Sequence, residues 1–169
     1  MIDPAVLLEK AKTSKRHLRM LNFGLKRMIP FNKPHGFDVI EIGDRSVKIL
    51  IPYKRKNLNH IKGLHACGLA TISEYATGMV LLNTLDPKEY RIIMQRMEMD
   101  YHYQGKMDAY ASFSVTDEWL EKEVIVPLKS AESVVVKCEV RIHDAQNNHL
   151  TTGNIFWQVK NWSKVKTKT

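Results

Sequence analysis

Glu74 is the only Asp, Glu, Lys or Arg between Lys62 and Asp86, and its neighbours are Ala, Leu, Ile, Gly, Met and Val. A carboxylate in such company loses hydration, its pKa rises, and at neutral pH it suits a general base or a nucleophile. Two polar side chains precede it: His65 lies nine residues before Glu74, and Asn59 six before His65. The apolar run from His65 to about Leu85 reads as a helix, so residues 65–67 would open it with unpaired N–H groups. Those groups and the positive end of the helix dipole can polarise a carbonyl and hold its oxyanion, and the N–H of Ala66 is the candidate donor. The competing reading of Glu74 is a structural carboxylate satisfied by backbone N–H groups, such as those of a neighbouring subunit.

Other chemistries fit these residues less well. His60, His65 and Cys67 lack a fourth partner at a metal-site spacing, so no metal is expected. Cys67 and Cys138 stand alone, and Cys67 reads as a buried, inert thiol.

The elements around this run set its position. Residues 1–34 read as an amphipathic helix with a linker, Asp3 as cap and Pro4 in its first turn. Leu7, Ala11, Leu18, Leu21, Leu25 and Met28 recur at helical spacing, and the outer face is basic. "DVIEI" and "SVKILIP" form a hairpin across Gly43-Asp44. The run after His65 has few polar groups on any side and is expected to be a helix buried all round. "YRIIMQRMEMDYHYQ" and "MDAYASFSV", separated by Gly105-Lys106, read as a second hairpin. "TDEWLEKEV" is a short acidic helix capped by Thr116 or Asp117. "ESVVVKCEVRIHD" alternates as a half-buried strand, "AQNN" turns the chain, and "HLTTGNIFWQVKNW" is the last strand. The end of the chain, from Lys160 onward, is expected to fray, with 161–169 a basic tail. One long helix with about six antiparallel strands curled around it is an α+β fold, here assigned to residues 35–160.

This order of elements, with Asn59, His65-Ala66 and Glu74 at their spacings, resembles the hot-dog fold thioesterases, in particular those related to the phenylacetate-degradation enzyme. Their signature is an Asn, then His-Gly-Gly at the start of the central helix, then Asp or Glu nine residues after the His. The likeness spans roughly residues 35–160 and implies an uncharacterised branch with an added N-terminal helix. It implies an acyl-coenzyme A or acyl-carrier-protein thioester hydrolase, active as a homodimer or a dimer of dimers, needing no metal or redox cofactor. Glu74 of one subunit would face His65 and Ala66 of the other, with Asn59 and His65 orienting substrate or water. Ala66 and Cys67 replace the two glycines of the signature. Some relatives also use a Ser or Thr beyond the helix to orient water, a place for which Asn83 and Thr84 are candidates. A hot-dog dimer that binds an acyl ligand without hydrolysing it is the alternative.

With 26 Lys+Arg against 18 Asp+Glu, the net charge is +8 and an anionic partner is favoured. Lys54, Arg55, Lys56 and Lys62 flank the site as a rim for the phosphates of coenzyme A or the acidic face of a carrier protein. No nucleic-acid motif accompanies the charge, and contact of the basic helix with an anionic membrane is the weaker alternative. Met94, Met97 and Met99 read as core, or as a flexible wall for an acyl chain. Glu74, Gly68 and Gly78 argue against a membrane span over residues 66–82. The chain start lacks the basic end and apolar run of a signal peptide, and the lone cysteines suit a reducing compartment, so a cytoplasmic setting is expected.

Overall fold

The computed structural model describes residues 4–165. Two helices come first, α1 (Pro4–Thr13) and α2 (Lys15–Met28), where the sequence pattern suggested one. Ser14 divides them: it is extended, and its hydroxyl accepts from the His17 N–H to cap α2. Asp3, the expected cap of α1, lies outside the described residues.

The sheet has six strands: β1 (Asp38–Ile42), β2 (Ser46–Ile51), β3 (Tyr90–Tyr101), β4 (Ala109–Ser114), β5 (Ser133–Asp144) and β6 (His149–Asn161). Every pairing is antiparallel and the order is β1-β2-β4-β5-β6-β3. The β1–β2 and β5–β6 hairpins are those expected from the turn residues. The expected β3–β4 hairpin is not formed. Strand β3 pairs with β6, while β4 lies between β2 and β5. Gly105 is a close approach rather than a tight turn: a Cβ there would lie 2.8 Å from Leu150 Cδ1 and 3.1 Å from Leu64 Cδ1. Its carbonyl accepts from the Leu64 N–H, and the connection carries the chain from the β3 edge past β6 and β5 to the interior strand β4.

Helix α3 (Ala66–Thr84) packs against β2 through β6. Ile72, Ala76 and Leu81 are inaccessible to solvent, as are Ile49, Ala111, Ile142 and Ile155 from the strands, and these residues form the centre of the core. The helix is not buried all round. Cys67, Thr71, Glu74 and Leu82, at spacings of four, three and eight, leave one stripe partly open. This is the hot-dog arrangement, a single curved antiparallel sheet holding one central helix.

Thr116 is the cap of the acidic helix, α4 (Asp117–Leu120), accepting from the Trp119 N–H at 3.0 Å. A wide π turn over Glu121–Ile125 leads into α5 (Val126–Ser130), as befits Pro127, which has no N–H to give to the carbonyl four residues earlier. The expected fraying does not begin at Lys160: β6 runs to Asn161, and Trp162 donates from its backbone N–H to the Glu89 carbonyl and from its indole to the Pro87 carbonyl.

The two edges of the sheet are finished differently. At β1, the Asn22 side chain of α2 donates to the Val39 carbonyl and accepts from the Val39 N–H, both at 2.8 Å. One amide thus satisfies the strand as a neighbouring strand would. At β3, no described element pairs with the outer side of its twelve residues.

Candidate active site

His65 is extended and caps α3: its Nδ1 accepts from the Cys67 N–H at 3.1 Å. In the neutral imidazole the proton then sits on Nε2, which is left as a donor. The neighbouring N–H groups are spoken for. Leu64 donates to the Gly105 carbonyl, His65 to the Asn57 carbonyl, and both Gly68 and Leu69 to the His65 carbonyl. Between them Ala66, exposed at the first position of α3, has an N–H without an acceptor among the described residues. The expected oxyanion donor is therefore free.

The carbonyl of Ala66 is held from the other side by the Tyr101 hydroxyl, which donates to it at 3.1 Å. Tyr101 has the phase to do so because β3 bulges between Met94 and Arg96. Opposite the buried Trp157, Ile155 and Gly153 of β6 stand Met94, Met97 and Met99, so all three methionines face the helix. Met97 and Met99 are partly buried against the core and Met94 is 40% exposed.

Glu74 is half-buried on the open stripe, with no ion pair or side-chain hydrogen bond among the described residues. Burial raises its pKa above the ordinary carboxylate value. Gly78 makes room beside it: a Cβ on Gly78 would lie 2.9 Å from Trp157 Cη2 and 3.9 Å from Glu74 Oε1. The Trp157 indole is fixed by donating to Thr77 Oγ1 at 2.9 Å, and its ring and the Glu74 carboxylate both border the space left by Gly78.

The remaining expected residues are spread over two hollows. Asn59 and Ala66 line one of about 320 Å³ together with Leu69, Tyr101 and Tyr103. The Asn59 side-chain carbonyl oxygen accepts from the N–H groups of Ile61 and Gly63, so the residue also shapes its own loop. His65 and Lys56 line the other hollow, of about 230 Å³, with Phe31, His35 and Cys67. Arg55 and Lys62 are exposed, and Lys54 folds over Gly36. Cys67 is exposed, which corrects the buried thiol expected from its apolar surroundings. Asn83 donates to the carbonyls of Gly43 and Asp44, and Thr84 to that of Val80, so both are engaged at the far end of α3. No group of His, Cys, Asp or Glu among the described residues is arranged to hold a metal.

A family model described as a domain of unknown function, DUF4442, matches residues 18–159. The chain belongs to the DUF4442 family. No curated protein matches this DUF4442 chain. Solved structures share its fold at low identity. A Pseudomonas aeruginosa protein of unknown function, described as "Probable Thioesterase", aligns with TM-score 0.76 and 16% identity over 95% of this chain and 97% of that one. A Chlorobaculum tepidum protein of unknown function aligns with TM-score 0.71 and 14% identity over 89% and 98%. A Haemophilus influenzae thioesterase aligns with TM-score 0.66 and 11% identity over 85% and 90%.

Two residues of the DUF4442 chain that sequence reasoning passed over help to hold the site. Asn57 is buried; its amide donates to the carbonyls of His35 and Pro52, its Oδ1 pairs with His35 Nδ1, and its backbone carbonyl receives the His65 N–H. It ties the N-terminal linker to the mouth of α3. Tyr101 is the other, and its only sequence signal is its inward phase, which the bulge conceals.

Proposed function

We propose that this DUF4442 chain is an acyl thioester hydrolase acting on acyl-coenzyme A or an acyl carrier protein, with the site completed across a homodimer. The observation that carries the reading is the pair of unsatisfied groups on one helix: the free N–H of Ala66 and the unpartnered, desolvated carboxylate of Glu74. Eight residues separate them, about 12 Å along the axis at about 1.5 Å rise per residue, so one chain cannot apply both to one thioester. An antiparallel pair of α3 helices related by a two-fold axis would bring the Glu74 of each chain to the Ala66 of the other. The unpaired β3 edge supports such a partner, since two β3 strands would continue one sheet.

In this reading the thioester oxygen accepts from the Ala66 N–H, and Asn59 and the His65 Nε2–H orient substrate or water. Glu74 takes a proton from water as the water oxygen bonds to the carbonyl carbon. Charge builds on the oxygen facing Ala66. The C–S bond then breaks, and the leaving thiolate takes the proton back from Glu74. Met94, Met97 and Met99 would flank the acyl chain, and Lys54, Arg55, Lys56 and Lys62 would meet phosphates or an acidic carrier. The thioesterase description of the Haemophilus influenzae neighbour agrees with this reading.

A second reading, an acyl-binding dimer without hydrolysis, is favoured by the Ala66 methyl and the Cys67 side chain, both exposed where a thioester would pack. Release of free thiol from short, medium, long and aromatic acyl-coenzyme A substrates separates the two. Hydrolysis predicts turnover in wild type and its loss in Glu74→Gln. Binding without turnover in both proteins would leave the acyl-binding dimer.

A further inference from the structure

Helix α2 carries Lys15, Arg16, Arg19, Lys26 and Arg27 and no acidic residue. Its inner face, Leu18, Leu21 and Leu25, packs on the core, and Asn22 seals β1. Its outer face is not simply charged. Arg16, Met20, Phe23 and Arg27 follow one another at spacings of four, three and four and are all exposed. Phe23 is 67% exposed, and the helix ends at Met28, 80% exposed, followed by Phe31 at 64%. Pro30, Lys33 and Pro34 continue the exposed surface. Beside it, an open groove of about 490 Å³ runs between α2 and the outer side of β1–β2, with Lys15, Arg19 and Lys26 among apolar Phe23, Ile40 and Leu50. Asp38, the acid that lines this groove, is already paired with Lys26 at 2.6 Å.

We infer that α2 and the turn after it are a docking surface for an anionic phospholipid bilayer. Arginines at helical spacing with large apolar side chains between them match an interface whose headgroups are negative and whose next layer is hydrocarbon. A second copy of this chain is a poor occupant, because it would bring a second cationic, acid-free face against the first. An acidic protein would satisfy the arginines and leave Phe23, Met28 and Phe31 with less to gain. No described helix is long and apolar enough to cross a membrane, so the contact is peripheral. The inference does not rest on the thioesterase reading, since the surface includes neither Glu74 nor Ala66, although Phe31 also borders the hollow beside His65.

The test is flotation of the full chain with vesicles of phosphatidylcholine alone and of an equal mixture of phosphatidylcholine and phosphatidylglycerol. Wild type should float with the mixture and stay behind with the neutral lipid. Arg16→Glu with Arg27→Glu should weaken binding about tenfold or more, because each position exchanges attraction to the headgroups for repulsion. Phe23→Ser with Phe31→Ser, both exposed and so compatible with folding, should weaken it by a similar factor at unchanged net charge. Absence of flotation with either lipid would overturn the inference, as would equal binding to neutral vesicles. Full binding by the Phe23→Ser/Phe31→Ser protein would also overturn it, leaving charge adsorption alone.

Discussion

The two edges of the sheet pose one physical problem and receive opposite treatments. At β1 the side chain of Asn22 occupies both backbone groups of Val39, and α2 lies against the strand. At β3, more than twice as long, the outer side pairs with no described element, and Ile93, Met94 and Tyr101 are exposed. Exposed long edges invite pairing, and chains commonly blunt them. One edge here is closed by the chain itself, and the other is left open among the described residues. In this molecule the open edge is also the one whose terminal tyrosine reaches the start of α3.

The sharpest way to break the comparison is to blunt the open edge. Ile93→Lys, at a position 46% exposed, should leave a folded monomer by sedimentation velocity. Thiol release should then fall about a thousandfold, since Glu74 and Ala66 of one chain act on different places. Retained activity in a monomer would refute the shared site. Next in size, Ala66→Pro removes the free N–H at the first helical position, which tolerates proline, and His65 already has the extended backbone that precedes one. Activity should fall about a hundredfold with the fold kept, judged by circular dichroism. Mixed with Glu74→Gln chains, it should recover about a quarter of wild-type activity, because half of the random dimers hold one intact site.

The closed edge responds in a different observable. Asn22→Ala removes two hydrogen bonds and leaves Val39 unpaired, so urea melts should show a loss of about 1–3 kcal/mol. The dimer should survive, and aggregation should rise. The smallest effect is on stability against pH. Folding raises the Glu74 pKa, so the folded chain keeps this proton to higher pH than the unfolded chain does. Stability is therefore lost as pH rises from the unfolded to the folded value. Glu74→Gln escapes that loss. Its melting temperature should match wild type below about pH 4 and exceed it at neutral pH. A lower melting temperature at neutral pH would mean that the carboxylate is held by structural donors.

These contrasts explain what was legible in the chain. The alternation of Val134 to Ile142 and the turn residues at Gly43 and Asn147 are local, and the hairpins they specify are present. Gly105-Lys106 looks the same locally, yet Gly105 is required by Leu64 and Leu150, which are distant in sequence. The open stripe of α3 was invisible for a different reason. Ala70 and Gly78 share that side with Thr71 and Glu74, and small apolar residues give a helix no hydrophobic contrast. Glu74 could be found as a lone charge in an apolar run. Asn57 and Tyr101 could not, because an ordinary loop asparagine and a strand tyrosine gain their roles only from the backbone groups that folding brings to them.

The hydroxyl of Tyr101, resting on the carbonyl of the residue whose N–H stands free, links strand edge and helix start in one contact. A chain that pairs through β3 would then gather its reactive groups by mass action, and its turnover per subunit would depend on how much protein is in the tube. Dilution would act as an inhibitor, and crowding two subunits together as the activator.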